Sequence, residues 1–320
     1  MKRIGVLTSG GDSPGMNAAV RSVVRCGIDE GMEVYGIYRG YEGLMDGEIE
    51  ELDRNSVGDI LQRGGTILKT ARSEKFRTEE GQAHAAAMLD TFGIEGLVVI
   101  GGDGSLRGGA DLARRGIRVI GLPGTIDNDL GYTDYTIGFD TAVNTVLEAI
   151  TKIRDTSSSH ERTTVIEVMG RHCGDIALFA GLAGGAEGVL IPEIENDINE
   201  LCKKIVMGAN RGKQHSIIIN AEGSGISSQE LTETIQYRTG QDTRLVVLSY
   251  LQRGGSPTLR DRMLATLTGA KAVELLKDDS DSKAIGTVDG EIAAYDLIDA
   301  LEQKREIDRA MYDLIGVLSK

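Results

Sequence analysis

Short apolar runs alternate with amphipathic segments along the whole chain. Residues 3–8, 33–37, 96–100, 118–122, 163–168, 188–191, 216–220 and 245–248 each read as a buried strand. Most are apolar throughout and rich in β-branched side chains, the pattern of parallel sheets covered on both faces. Helical patterns lie between them. Over 16–30, Val20, Val23, Val24 and Ile28 form one stripe, while Arg21 and Arg25 sit four apart on another. Over 140–154 the stripe is Val143, Val146, Leu147, Ile150 and Ile153. Further helices are predicted at 80–92, 105–114, 198–210, 229–239, 260–277 and near 305–318. Alternating strands and helices imply an α/β fold with right-handed crossovers. No Ser/Pro-rich linker divides the chain, so composition places no domain boundary.

Composition narrows the function classes. The chain has 320 residues, enough for two ordinary domains at about 150 residues each. Its formal charge of −14 disfavours nonspecific binding to nucleic acid or an anionic membrane, both of which would repel it. Apolar residues at 40% and charged residues at 26% are globular proportions. Glycine, with 43 copies, is nearly double its usual share of ~7%. Arginine outnumbers lysine, 23 to 12. Arginine grips phosphates and carboxylates in a planar, bidentate way, and glycine lets backbone amides approach an anion. Local anion sites on an acidic protein are the expectation.

Cys26, Cys173 and Cys202 are odd in number and too scattered for a disulfide framework or a CxxC site, which points to neutral thiols in a reducing compartment. The four histidines form no HxxxH or HExxH pattern. The apolar stretch after Met1-Lys2-Arg3 is too short for a signal-peptide core, and no window holds about 18 apolar residues. The expected location is the cytoplasm.

The glycines cluster where strands end. The first strand runs into Gly10-Gly11-Asp12-Ser13-Pro14-Gly15, and the strand at 96–100 runs into Gly101-Gly102-Asp103-Gly104-Ser105. Each loop precedes a helix, so bare N–H groups and the positive helix end face the same space. A tight βα turn explains one such loop; two in one sheet make phosphate binding the better reading. No GxxxxGK[ST] motif occurs, and Arg107 stands where a GxGxxG would need its third glycine. The next strand end carries Pro123-Gly124-Thr125-Ile126-Asp127-Asn128-Asp129. If extended, it aligns Thr125, Asp127 and Asp129 on one face. Two carboxylates and a hydroxyl beside a phosphate loop suit metal-assisted phosphoryl transfer, one carboxylate taking a hydroxyl proton and the other helping to hold Mg²⁺. An Asx-rich turn is the alternative.

Six segments in this order resemble the bacterial ATP-dependent 6-phosphofructokinases over nearly the whole chain. They are Leu7-Thr8-Ser9-Gly10-Gly11-Asp12, Gly101 through Ser105, Pro123 through Asp129, Met169-Gly170-Arg171, Ala221-Glu222-Gly223 and Gln252-Arg253-Gly254-Gly255-Ser256-Pro257. GGDGS alone is weak, since lipid and NAD kinases carry a similar segment. The resemblance implies two Rossmann-like α/β/α lobes with mainly parallel sheets and an active site in the cleft between them. Residues 1–138 with about 251–301 would bind ATP; 139–250 with about 302–320 would bind the sugar phosphate.

Carried over by position, the resemblance assigns roles. Gly11, Arg72, Ser73, Phe76, Arg77, Gly102, Asp103, Gly104 and Ser105 would bind ATP, with Asp103 and Asp129 on Mg²⁺. Asp127 would be the base toward the 1-hydroxyl of fructose 6-phosphate. Thr125 and Arg171, with Gly11 and Arg72, would stabilise the transferring phosphoryl group. Met169, Gly170, Glu222, Tyr250 and Arg253 would position the sugar phosphate, and Arg162 and Arg244 would reach it from a neighbouring subunit of a homotetramer. Tyr250 stands where the family usually has histidine, so sugar-phosphate binding should be weaker or less pH-sensitive. Pyrophosphate-using relatives typically carry Asp at the place of Gly104 and Lys at that of Gly124; glycine at both looks like the ATP type.

A second anion site is implied at Arg21, Arg25, Arg54, Asp59, Arg154, Gly185, Glu187, Arg211, Lys213 and His215, which match the family's effector site for ADP and phosphoenolpyruvate. Periodicity alone makes Arg21 and Arg25 a solvated helix face. The alternatives are a pyrophosphate-dependent enzyme and a non-catalytic regulatory subunit of the same fold. Asp103, Asp127 and Arg171 are all present, which disfavours the latter.

Overall fold

The first apolar run is buried from Ile4 onward and becomes an inner strand of a large sheet in the computed structural model, which describes residues 1–319. Along the chain come β1 (Arg3–Thr8), α1 (Met16–Asp29), β2 (Glu33–Ile37), α2 (Gly40–Asp46) and β3 (Ile49–Leu52). Next are α3 (Glu79–Thr91), β4 (Gly96–Gly101), α4 (Asp103–Ala113), β5 (Arg118–Thr125) and β6 (Ile137–Gly138). Then follow α5 (Phe139–Ser159), β7 (Thr163–Val168), α6 (Asp175–Ala183), β8 (Gly188–Leu190), α7 (Ile198–Asn210) and β9 (Ser216–Ala221). The remainder is α8 (Ser228–Thr239), β10 (Thr243–Val247), α9 (Leu259–Lys277), β11 (Lys283–Val288), β12 (Glu291–Asp296), α10 (Leu297–Glu302) and α11 (Arg309–Leu318).

The chain divides into two compact units, one of Met1–Thr141 and Arg253–Arg305, the other of Ala142–Gln252 and the residues from Glu306 onward. In the first, an eight-stranded sheet runs β12-β11-β5-β4-β1-β2-β3, with β6 paired to the end of β5. The β1, β2, β4, β5 and β11 pairings are parallel, and the outermost strands β3 and β12 are antiparallel. Alternation along β4 sends Val98 and Ile100 to one face and Leu97 and Val99 to the other, and all four are fully buried. The first face is covered by α1 and α9, which approach closely at Gly269, where a Cβ would lie 2.7 Å from that of Ser22. The second unit holds a four-stranded parallel sheet, β10-β7-β9-β8. Val165 and Ile218 of that sheet pack against Leu201 and Ile205 of α7 and Leu231 and Ile235 of α8.

The expected α/β class with mainly parallel sheets is observed, and all eight predicted strands are present. The elements absent from the pattern reading have weak or mixed signals. The β12 strand is half-exposed at the sheet edge, α6 is almost uniformly apolar, and α2 is short and holds two glycines. The α11 helix starts at Arg309 rather than near 305, because the Asp308 carboxylate accepts from Met311 N at 2.9 Å and caps it there. Among the described residues no helix is long and apolar enough to cross a membrane.

The turn from β6 into α5 is fixed by Asp261 of α9. Its carboxylate accepts from Gly138 N (2.9 Å), Thr141 N (2.8 Å) and Thr141 Oγ1 (2.5 Å), and Thr141 Oγ1 accepts from Thr258 N (3.0 Å). Burial pushes this carboxyl up to about 6 against the opposing pull of those donors. A carboxyl raised on folding binds protons that the unfolded chain releases near pH 4. The stability it contributes is therefore complete below about pH 4 and is lost as the pH rises through about 6. The Asp261→Asn variant lacks this titration, so the gap in melting temperature from the parent should narrow from about pH 4 to pH 7. Parallel curves would show that Asp261 does not titrate there.

Candidate active site

Both glycine loops lie in the first unit, at the carboxyl ends of neighbouring parallel strands. Ser9 N donates to Ile100 O at 3.0 Å, which draws the turn after β1 onto the end of β4. Gly10 has φ +84°, and a Cβ there would sit 2.9 Å from Ser105 Oγ in the first turn of α4. Gly11 packs on the Arg253 guanidinium, whose Nη1 donates to Asp12 O at 3.2 Å. The segment leading to Arg72 is anchored to the same turn, because Thr70 Oγ1 donates to Gly10 O at 2.6 Å. Gly102 is the residue before α4, so the amino end of that helix opens beside it, and Thr125 Cβ lies 3.3 Å from where a Gly102 Cβ would be. The loops after β1 and β4 thus converge with the end of β5.

The loop after β5 is not extended throughout, as the alternation argument assumes. Asn128 has φ +55° and is fully buried, so Asp129 does not follow Asp127 by simple alternation. Asn128 Nδ2 donates to Asp134 O at 3.2 Å, and its Oδ1 accepts from Thr136 N at 3.0 Å. Thr136 Oγ1 donates to Thr125 O at 2.7 Å. These bonds close the loop on itself, with Asp127 and Asp129 on either side of the staple. Thr125 Oγ1 accepts from Asp127 N at 3.2 Å, which keeps hydroxyl and carboxylate in one turn. Sequence reasoning passed over Asn128, although an Asn between two Asp residues is a signal for a left-handed turn position.

The remaining nucleotide-side residues are placed unevenly. Arg72 and Arg77 are exposed, and Ser73 Oγ accepts from Phe76 N at 3.2 Å. Phe76 does not line an open surface as the expected ligand role requires. It is 5% exposed and its ring stacks on Tyr41 with centroids 4.0 Å apart, so it holds the segment in the core. Tyr41, which the sequence reading did not single out, donates its hydroxyl to Ser105 O at 2.5 Å. Asp103 is paired with Arg107 at 2.9 Å, and Arg107 also donates to Leu301 O at 2.7 Å. The Tyr132 hydroxyl is buried without a hydrogen-bond partner among the described residues. Burial, then the charges of Asp103 and Asp129, raise that phenol far above its usual range, so both carboxylates act on one buried hydroxyl.

The second unit carries most of the expected sugar-phosphate residues. A cavity of about 100 Å³ is lined by Met169, Glu222 and Tyr250, together with Glu167, Val168 and Ser249. Gln252, fully buried, accepts from Met169 N at 3.1 Å and donates to Ser249 O at 3.1 Å, joining the two segments that carry these residues. Gly170 has φ +131°, and Gly223 packs directly on the Arg171 backbone. Tyr250 is 77% exposed. Arg162 and Arg244 lie elsewhere in the unit, meeting at Asp242.

The expected effector residues form two sets. In the first unit, Arg25 Nη2 donates to Arg54 O at 3.3 Å, Arg54 pairs with Asp29 at 3.0 Å, Arg21 is half-buried and Asp59 is exposed. In the second, Lys213 pairs with the buried Glu187 at 2.6 Å. Arg154 donates to Gly185 O at 3.1 Å and lies 3.4 Å from His215 Nε2. Burial, then the Arg154 charge, hold the His215 imidazole below its usual range. Arg211 and Lys213 line a cavity of about 690 Å³ with Lys203, Lys204 and Met207.

The Asn128 staple generates a stability prediction. Asn128→Ala leaves Thr136 N unpaired in the interior and forces Ala into a left-handed conformation, at a cost of about 2–4 kcal/mol. Asn128→Gly relieves the conformational part and should be about 1–2 kcal/mol more stable than the alanine variant. Calorimetric melting checks the order; equal melting temperatures would remove the backbone contribution.

Comparison with known proteins identifies the family. The family described as Phosphofructokinase matches residues 3–276. An ATP-dependent 6-phosphofructokinase of Clostridium tetani is 58% identical over 319 residues, covering 100% of both chains. One from Clostridium botulinum is 57% identical over 320 residues, again covering 100% of both. Among solved structures, phosphofructokinase from Saccharomyces cerevisiae aligns with a TM-score of 0.88 at 36% identity. That match covers 100% of this chain and spans about half, 48%, of the yeast chain. A pyrophosphate-dependent phosphofructokinase from Marinobacter aquaeolei shares the fold, with a TM-score of 0.84 at 22% identity over 98% of this chain and 91% of that one. A family match over most of the sequence, joined to this identity across whole chains, is decisive: the chain belongs to the phosphofructokinase family.

Proposed function

We propose that this chain is an ATP-dependent 6-phosphofructokinase, transferring the γ-phosphoryl group of ATP to the 1-hydroxyl of fructose 6-phosphate and releasing ADP. The observation that carries the reading is the convergence of two glycine loops with Thr125 and Asp127 at the carboxyl ends of β1, β4 and β5. Bare N–H groups around Gly11 and Gly102 to Gly104, at the start of α4, would receive the nucleotide phosphates. Asp127 would accept the proton of the attacking hydroxyl. A carboxylate is a weak base, but a loose transition state asks for little early deprotonation. Arg72, Arg171 and Thr125 would neutralise the charge spread over the transferring group, which is most of the catalytic work in such a reaction. Met169, Gly170, Glu222, Tyr250 and Arg253 would position the sugar phosphate, and Arg162 and Arg244 would serve a neighbouring subunit of a homotetramer.

The donor set fits Mg²⁺, which takes one or two carboxylates and completes its shell with phosphate oxygens and water. Asp103 and Asp129 would hold it, and the orphaned Tyr132 hydroxyl beside them is a polar atom that such a shell can satisfy. When bound with ATP, the ion would neutralise developing phosphate charge. Arg107 would then have to share or release Asp103.

Two glycines favour ATP over pyrophosphate. Nothing lies within 4 Å of a Cβ built on Gly104, so a side chain there would occupy open space beside the phosphate loop. At Gly124 a Cβ would sit 3.0 Å from Ile100 Cγ2, so a larger residue would strain the strand. Steady-state ADP release with fructose 6-phosphate and Mg²⁺ should show turnover with ATP, a loss of about 10²–10⁴-fold in kcat for Asp127→Asn, and loss of ATP use in a stably folded Gly104→Asp variant. Turnover with pyrophosphate alone would overturn the assignment.

An effector site for ADP and phosphoenolpyruvate is the regulatory part of the proposal, supported by the cationic group of Arg154, Lys213 and His215 around Glu187. Each effector must bind one conformational state better than another in order to act. Fructose 6-phosphate saturation curves should shift left with ADP and right with phosphoenolpyruvate. Superimposable curves would refute regulation at this site.

A further inference from the structure

Two arginines from different elements converge on a single carboxylate in the second unit. Arg162, just before β7, brings Nε to 2.6 Å from Asp242 Oδ2. Arg244, on β10, brings Nε to 3.1 Å from Oδ1 and Nη2 to 3.3 Å from Oδ2. The backbone sets this meeting. The β10 and β7 strands are parallel neighbours with Thr243 opposite Thr163, and Thr163 N donates to Asp242 O at 3.0 Å. Asp242 is therefore held at the common start of both strands, one residue before β10 as Arg162 is one residue before β7.

The pairing uses one side of each guanidinium. Asp242 occupies both Nε groups and one Nη of Arg244. Both Nη groups of Arg162 and Nη1 of Arg244 have no protein partner among the described residues. The side chains remain partly exposed, at 31% for Arg162, 61% for Arg244 and 40% for Asp242, so the cluster is open to an incoming anion. Burial works to raise the Asp242 carboxyl, but the two guanidinia outweigh it and hold it below the usual carboxylate range. A dianionic phosphate accepts several N–H bonds in fork geometry, which the outer edges of two fixed guanidinia supply.

We propose that Asp242 is a positioning residue that pre-orients Arg162 and Arg244 as a two-guanidinium clamp for the phosphate group of the sugar-phosphate substrate. The inference rests on the proposed activity and deepens it, since nothing in the motif pattern pointed to Asp242. Two opposed effects decide its sign. The carboxylate lowers the net positive charge of the cluster, but at half-exposed positions that charge is screened by water and salt. Without Asp242, each long arginine must surrender its rotamer freedom on meeting the phosphate; with it, that ordering is completed on folding. Orientation therefore outweighs the lost attraction.

The test compares the full-length parent chain with Asp242→Asn and Asp242→Ala in steady-state turnover of ATP and fructose 6-phosphate, with melting curves for each. The KM for fructose 6-phosphate should rise about threefold to fivefold, more in the alanine variant, while KM for ATP and the melting temperature stay at the parent values. An unchanged or lowered KM for fructose 6-phosphate in both variants, with an active parent, overturns the clamp. An equal rise in both KM values, or a drop in melting temperature, marks a general structural role and also overturns it. A parent chain that does not turn over fructose 6-phosphate overturns the activity reading itself, and the clamp with it.

Discussion

The site depends on how closely three backbone turns can approach one another at the carboxyl ends of β1, β4 and β5. Parallel pairing brings Thr8 opposite Ile100 and Gly101 opposite Pro123, so the three chains leave the sheet side by side. Side chains on those turns would collide. A Cβ on Gly101 would lie 2.6 Å from Ser9 O, and one on Gly124 would lie 3.2 Å from Gly101 N. Glycine removes the obstruction and leaves N–H groups facing the space an anion would fill. The compositional excess of glycine thus has a local physical meaning at this end of the sheet.

Rigidity around that opening comes from polar groups that sequence patterns do not advertise. Asn128 staples the loop that bears Asp127 and Asp129, Asp261 fixes the turn that follows it, and Tyr41 and Thr70 tie neighbouring segments to the phosphate loops. Each bond is modest alone, but each ties a loop or turn to a backbone group of a neighbouring segment. Positioning of this kind is what phosphoryl transfer demands of a protein, because little covalent chemistry remains for it to do.

Charge is organised by pairing. In a chain of net charge −14, some of the cations expected to meet phosphate are held by carboxylates, Arg162 and Arg244 by Asp242 and Lys213 by Glu187, and Arg107 beside the phosphate loop is held by Asp103. Partly exposed pairs are individually weak, so a phosphate can compete for the free edges of the guanidinia. The Arg107–Asp103 pair differs from the others, because there the carboxylate itself is the group expected to serve the ligand, through Mg²⁺. On the proposed reading, the acidic balance coexists with local anion sites.

Strand and helix order, the α/β class and the glycine turns were legible in the amino-acid sequence because they follow from local periodicity and from residues whose backbone freedom is distinctive. Gly10 and Gly102 could be picked out in this way. The edge strand β12 and the apolar helix α6 could not, since their burial pattern has no clear period. The same limit applies within the site. Asp127 and Thr125 carried a motif and Asn128 between the two carboxylates a turn signal, but the burial of Phe76 against Tyr41 and the capture of two arginines by Asp242 carried none. Those features depend on residues distant in sequence meeting across a strand pair or a loop, as Arg162 and Asp242 do. Sequence by itself determined which chemistry was present and roughly where the chain would turn. Only the tertiary structure decided which side chains are held, and by what, because that is set by strand register and burial.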